Sequence, residues 1–199
     1  MKRVVSLAAA LLAMTTMAAS VEWGAFQLVG NSPGAVVLGY GGGAVYANTS
    51  VGMATTKSGS SLTIAESDTY LASFSAWTVA VAGEVVNADM LQDIDRLFYR
   101  CDGIQASNPF DVNYAEDTFY MAFETLVWDN EEFYGPGKVE YGWVHLAVAN
   151  GKLSVVDSAM GLEGQSMIVG SGAVPEPSSG FLLLLGMAAL GLRRRPRGI

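Results

Sequence analysis

The chain has 199 residues, is 51% hydrophobic and carries 11 basic against 19 acidic side chains, a net of −8. That length fits one domain once processed ends are set aside, and the single cysteine, Cys101, excludes an intramolecular disulfide. Six of the basic residues (Lys2, Arg3, Arg193, Arg194, Arg195 and Arg197) and one acid, Glu176, lie in the two ends, so the body keeps five basic and eighteen acidic residues, a net of −13. Such a body repels phosphate backbones and argues against a nucleic-acid partner.

In chain order, Met1-Lys2-Arg3 is followed by the apolar run Val4–Ala13 and the small residues Ala18-Ala19-Ser20. A basic start, a short greasy core and a small-residue junction are expected of a secretory signal peptide over residues 1–20. Cleavage after Ala19 and cleavage after Ser20 both fit. The alternative is a retained N-terminal anchor, for which the apolar run is short.

The body, residues 21–173, reads as β structure. Short apolar runs at Trp23–Val29, Ala35–Tyr40, Ala44–Ala47, Val51–Ala54, Ser61–Ala65 and Tyr70–Ala82 are separated by Gly, Asn, Ser and Pro turns. From Val86, apolar residues recur at Met90, Ile94, Leu97 and Phe98 behind Asn87 and Asp89. This spacing predicts one short helix over Ala88–Tyr99. Cys101–Asp117, with Asn108-Pro109, reads as an irregular connection.

The second half carries the clearest strands. Over Thr118–Trp128, Phe119, Met121, Phe123 and Val127 fall on one face, with Thr118, Tyr120 and Glu124 on the other. Lys138–Val148 has bulk on both faces: Tyr141 and Trp143 on one, Val144, Leu146 and Val148 on the other, as in a strand in the middle of a sandwich. Asn150-Gly151 predicts a tight hairpin returning through Leu153–Val156. The fold class expected is mainly β: a single antiparallel, jelly-roll-like β-sandwich with one short helix.

Residues 174–199 differ in kind. Val174-Pro175-Glu176-Pro177 is extended, because proline blocks both helix and ladder. The uncharged apolar span 180–192 follows, then Arg193, Arg194, Arg195 and Arg197. The span enters the bilayer as a helix and the arginines hold its end in the cytoplasm; its thirteen residues suit a transient membrane contact better than a durable anchor.

These three elements in this order resemble the PEP-CTERM sorting domain over Val174–Ile199. The resemblance implies an exosortase-type sorting enzyme as partner, with Pro175, Glu176 and Pro177 as recognition residues and cleavage nearby. It implies export, with the inner membrane crossed in transit to the cell surface or beyond. Thr118–Phe123 and Tyr141–Leu146 also resemble the end of small β-rich PEP-CTERM proteins of verrucomicrobial type.

Chemistry in the body is sparse. His145 is the only histidine; it lies mid-strand on the side of Trp143 and reads as structural or surface-exposed, since a catalytic device needs a positioned partner. One histidine and one cysteine are too few for zinc, and Cys101 reads as a small buried hydrophobe. The acids around Trp128–Gly137 (Asp129, Glu131, Glu132, with Glu124 and Glu140 nearby) read as a solvated loop, or as a weak calcium site. No catalytic residue, metal or cofactor is expected. Trp128, Tyr141 and Trp143 are candidate ligand-binding aromatics, because rings with acidic acceptors suit polysaccharide; core filling is the competing account.

The function expected is a non-enzymatic, sorted surface or matrix protein associated with extracellular polysaccharide. The alternatives are a secreted hydrolase with two carboxylates and a purely structural envelope module.

Overall fold

The computed structural model describes residues 21–171, apart from 25, 33–34, 42–45, 48–49, 72–74, 101–107, 129–136 and 163. The expected signal peptide, the sorting tail, Cys101 and the acidic loop at Asp129–Glu132 lie outside the described residues. Two antiparallel sheets face each other across the core, so the expected β-sandwich is present.

The first half of the chain supplies β1 (Val21–Trp23), β2 (Phe26–Ser32), β3 (Ala35–Tyr40), β4 (Tyr46–Ala47), β5 (Ser50–Ser58), β6 (Ser61–Leu71) and β7 (Ser75–Ala80). Then come β8 (Val85–Val86), α1 (Ala88–Gln92), β9 (Leu97–Arg100) and β10 (Phe110–Asn113). The last strands are β11 (Glu116–Trp128), β12 (Lys138–Ala149), β13 (Lys152–Gly161) and β14 (Met167–Ile168). The larger sheet runs β1-β13-β12-β11-β7-β9, with β4 also paired to β11. The smaller runs β10-β6-β5-β3-β2, and β14 pairs with β8 separately.

Period-two alternation sets which side chains enter the sandwich. Phe119, Met121, Phe123 and Val127 of β11 point inward with Val144, Leu146 and Val148 of β12. They meet Phe26, Leu38, Val51, Met53, Leu62 and Ile64 of the smaller sheet. Phe123 lies opposite Gly142, and a Cβ on that glycine would fall 2.4 Å from the Phe123 ring. Glycine is therefore the residue that lets the Phe123 ring lie over β12.

The outer face of the larger sheet is also covered. Ala76, Ala80, Leu97, Ala122, Trp143 and Ala159 pack there under Val86, Leu91, Met167 and Val169. This third, partial layer consists of α1 and the β8–β14 pair. It explains why Lys138–Val148 carries bulk on both sides: β12 is buried twice.

Two expectations are corrected. The helix ends at Gln92, not Tyr99. Asn87 caps its start by accepting from the Met90 amide at 3.0 Å. Asp93 then turns the chain: its side chain accepts from the Asp95 amide and its carbonyl from the Arg96 amide. These local bonds compete with helix propagation. Leu97 and Phe98 belong to β9, where a bulge against Trp77/Thr78 puts the adjacent Phe98 and Tyr99 both in the inner cluster while Leu97 joins the outer one. A bulge and a helical turn give the same apolar spacing over so few residues.

The connection at Cys101–Asp117 is not wholly irregular. Phe110–Asn113 forms β10 on β6, with Val112 opposite Leu62, and β11 already begins at Glu116. Asn108-Pro109 breaks the chain only locally, where the Asn108 amide donates to the carbonyls of Ile94 and Leu97.

The hairpin at Asn150-Gly151 is as expected. Both residues have positive φ, +50° and +73°, as the two-residue turn requires. Their amides donate to Ala115 and Tyr114 carbonyls. Farther along β13, a bulge beside His145/Leu146 leaves Val156 exposed and resets the alternation. Leu153 and Val155 face inward before the bulge, Met160 after it.

Candidate functional site

On the outer face, residues two apart on β11 and β12 line up in pairs: Tyr120 with His145, Ala122 with Trp143, and Glu124 with Tyr141. The Tyr120 ring stacks on His145 at 4.3 Å and 11°, and meets Trp143 edge to face at 5.9 Å. Trp143 in turn meets Trp23 edge to face at 6.1 Å. The register explains the last contact. Ala159 of β13 lies opposite both Trp23 and Trp143, and its small side chain leaves room for the two indoles to touch above it.

The other end of the row is charged. Arg100 of β9 and Glu124 of β11 flank Ala76 of β7, and their side chains come within 4.0 Å across that alanine. Arg100 also donates to the Leu91 carbonyl in α1 at 2.7 Å. Burial pushes the Tyr141 phenol above its ordinary range, and the negative charges of Glu124, Asp89 and Glu140 push it the same way. Tyr141 is thus held as a neutral phenol.

The candidate aromatics from the sequence part company here. Tyr141 is half-buried beside the charged group. Trp143 is only 2% exposed, and its indole N–H donates to the Ser171 carbonyl at 2.9 Å. Trp128 closes β11, and its side chain lies outside the described residues. His145 shares the face of Trp143, in contact with the Tyr120 ring.

Trp23 is the aromatic that sequence reasoning passed over. It is 53% exposed and is held edge-on by a buried partner. Its role depends on β1 pairing with β13 nearly the whole body away, and nothing local in the sequence announces that pairing.

Several carboxylates of the described body are engaged structurally. Glu140 is buried, with its carboxylate accepting from the Gly164 amide. Glu84 pairs with Arg96 at 3.1 Å, Asp111 accepts from Thr63, and Asp117 accepts from the Asn113 amide. Among the described residues no three His, Cys, Asp or Glu side chains group as a metal site, and no helix is long and apolar enough to cross a membrane.

The recognition residues Pro175, Glu176 and Pro177 and the arginines Arg193, Arg194, Arg195 and Arg197 lie outside the described residues. Their surroundings begin two residues after a fixed point, since Ser171 is tied to Trp143. No curated protein and no solved structure matches the chain. Residues 173–197 do match the PEP-CTERM protein-sorting motif. The match takes in the Pro-Glu-Pro segment, the apolar span and the arginine cluster together. The chain therefore carries a PEP-CTERM protein-sorting motif, the signal for export and for recognition by exosortase-type sorting machinery.

Proposed function

We propose that the protein is a non-enzymatic component of the cell surface or extracellular matrix, released from its tail by the sorting enzyme and associated with extracellular polysaccharide. The observation that carries this reading is the sorting motif at residues 173–197. The acidic body suits an exported, soluble module, because like charges resist self-association. Of its described carboxylates, Glu84, Asp111, Asp117 and Glu140 serve an arginine, a threonine and backbone amides, which favours a binding or structural role for these four. For polysaccharide, the supporting feature is Trp23: an exposed indole braced edge-on by Trp143 offers a flat apolar surface on which a sugar ring can stack.

Intact mass of the mature protein, from cells with and without the sorting enzyme, tests the sorting step. The expected result is loss of the residues beyond the Pro175–Pro177 region only when the enzyme is present; a full-length C-terminus in both would overturn it. Pull-down on envelope polysaccharides tests the association. Trp23→Ala is expected to reduce retention, and absence of retention for the unaltered chain on every envelope glycan would remove the polysaccharide part.

A further inference from the structure

The sorting motif leaves the body from a fixed point. Val169 donates to the Glu84 carbonyl and accepts from the Gly83 amide, both at 2.9 Å. The Ser171 amide donates to Ile168 at 3.1 Å, and the Ser171 carbonyl accepts from the buried Trp143 indole. Val169 itself is 2% exposed. The segment 81–86 and the end of the described chain are thus locked together.

From Ser171 to Pro175 is four residues of chain, which span at most about 14 Å even when fully extended. A body of this length has a radius of gyration of about 15 Å. Any enzyme that holds Pro175–Pro177 is therefore within contact range of the end of the body that bears Ser171. The apolar span starts at Gly180, nine residues from Ser171, so the bilayer is allowed a separation of about 30 Å. The short leash favours the enzyme as the neighbour.

Three of the six exposed large apolar side chains among the described residues lie on the segments around that end. Val81 is 66% exposed, Val85 40% and Ile94 53%. Val81 and Val85 flank the Gly83–Glu84 turn that ties down Val169. Ile94 lies two residues before Arg96, whose guanidinium bonds Glu84 and the Val79 carbonyl. Exposed aliphatic side chains on the segments that an ion pair ties together suit a protein partner.

We propose that Val81, Val85 and Ile94, around the Glu84–Arg96 pair, form a docking surface for the outward-facing side of the sorting enzyme, so that the enzyme reads the folded body as well as the tail. This rests on the tail being an exosortase substrate. The test follows cleavage over time by intact mass in cells that contain the enzyme, using the full chain and two alterations. One is Val81→Ser with Val85→Thr. The other inserts a twelve-residue Gly-Ser spacer after Ser171, which leaves the body unchanged and so stands even if the substitutions disturb folding.

Each alteration is expected to slow cleavage roughly fivefold, the value of losing two partly buried valine contacts. The two combined are expected to be no slower than either alone, because both abolish one contact. Cleavage at the unaltered rate in both would overturn the proposal. So would faster cleavage with the spacer, which would make the body an obstacle. Slowing by the substitutions but not by the spacer would point to the bilayer instead and would equally overturn it. If the unaltered chain is not cut at all, the sorting reading itself fails.

Discussion

Between the two sheets the core is filled by Phe26, Trp77, Phe98, Phe123 and several methionines; on the far side of the same seven-stranded sheet the filling is Ala76, Ala80, Ala122 and Ala159, with Leu91, Met167 and Trp143. Large rings hold two sheets at the spacing that a sandwich needs. Alanines allow α1 and the β8–β14 pair to sit close against the sheet, but they bury little area per residue. The outer layer also rests on very short elements, a five-residue helix and two two-residue strands, none of which is stable alone. The inner layer therefore carries the stability, and the outer layer carries the attachment of the tail.

Four measurements break or sharpen that contrast. The largest effect is expected for Phe123→Ala, which empties the space between Phe26, Trp77 and Gly142. It should cost about 3–5 kcal/mol in urea unfolding; a loss below about 2 kcal/mol would mean that the inner face is looser than its rings suggest. Next, Ala122→Leu forces bulk beneath the outer layer and should cost about 1–3 kcal/mol. Hydrogen exchange should then quicken at Val86, Leu91 and Val169 while Met121 and Val144 stay protected. Equal quickening on both faces would show the layers to be one cooperative unit.

A comparable or smaller loss is expected for Trp143→Phe, which keeps one aromatic ring but removes the N–H that serves Ser171 and part of the buried indole. It should cost about 1–2 kcal/mol, with faster proteolytic nicking next to Ser171 as the local signature; unchanged nicking would show that the indole bond does not hold the tail. The smallest effect is on pH dependence. The Tyr141 phenol is raised by burial, then by Glu124, Asp89 and Glu140, so the folded chain keeps a proton that the unfolded chain loses at about pH 10. Stability is full below that pH and falls above it until the folded phenol ionises too. Urea midpoints across this range should fall less steeply for Tyr141→Phe, and an identical slope would show that Tyr141 is not the group responsible.

What could be read from the sequence follows the range of the interactions involved. The hairpin needs only Asn150-Gly151 and its flanking strands, and it is where the sequence puts it. The alternation in Phe119–Val127 is likewise self-contained, and the double-sided bulk of Lys138–Val148 correctly announces a strand covered on both faces. The sequence suggests too long a helix because Ile94, Leu97 and Phe98 mimic a helical face, while the Asp93 turn and the bulge opposite Trp77 decide otherwise. β10 was hidden because its pairing with β6 lies more than forty residues away, behind Asn108-Pro109. Trp143 could be seen as large and apolar, but its bond to Ser171 depends on a strand pair of two residues each. The sorting motif was legible because it is contiguous: it is recognised as a string and needs no fold.

The pairing of β1 with β13 bears on timing. Val21 lies opposite Gly161 and Trp23 opposite Ala159, and the Phe26 amide donates to the Ser158 hydroxyl across 132 residues. A chain that crosses a membrane N-terminus first delivers β1 at the start and its partner almost at the end. Until then the edge of the larger sheet has no strand to close it, and Trp23 has no indole to rest on. Contacts this distant in sequence form slowly and late. Passage from the N-terminus would therefore leave the body incomplete until the segment just before the sorting motif had followed.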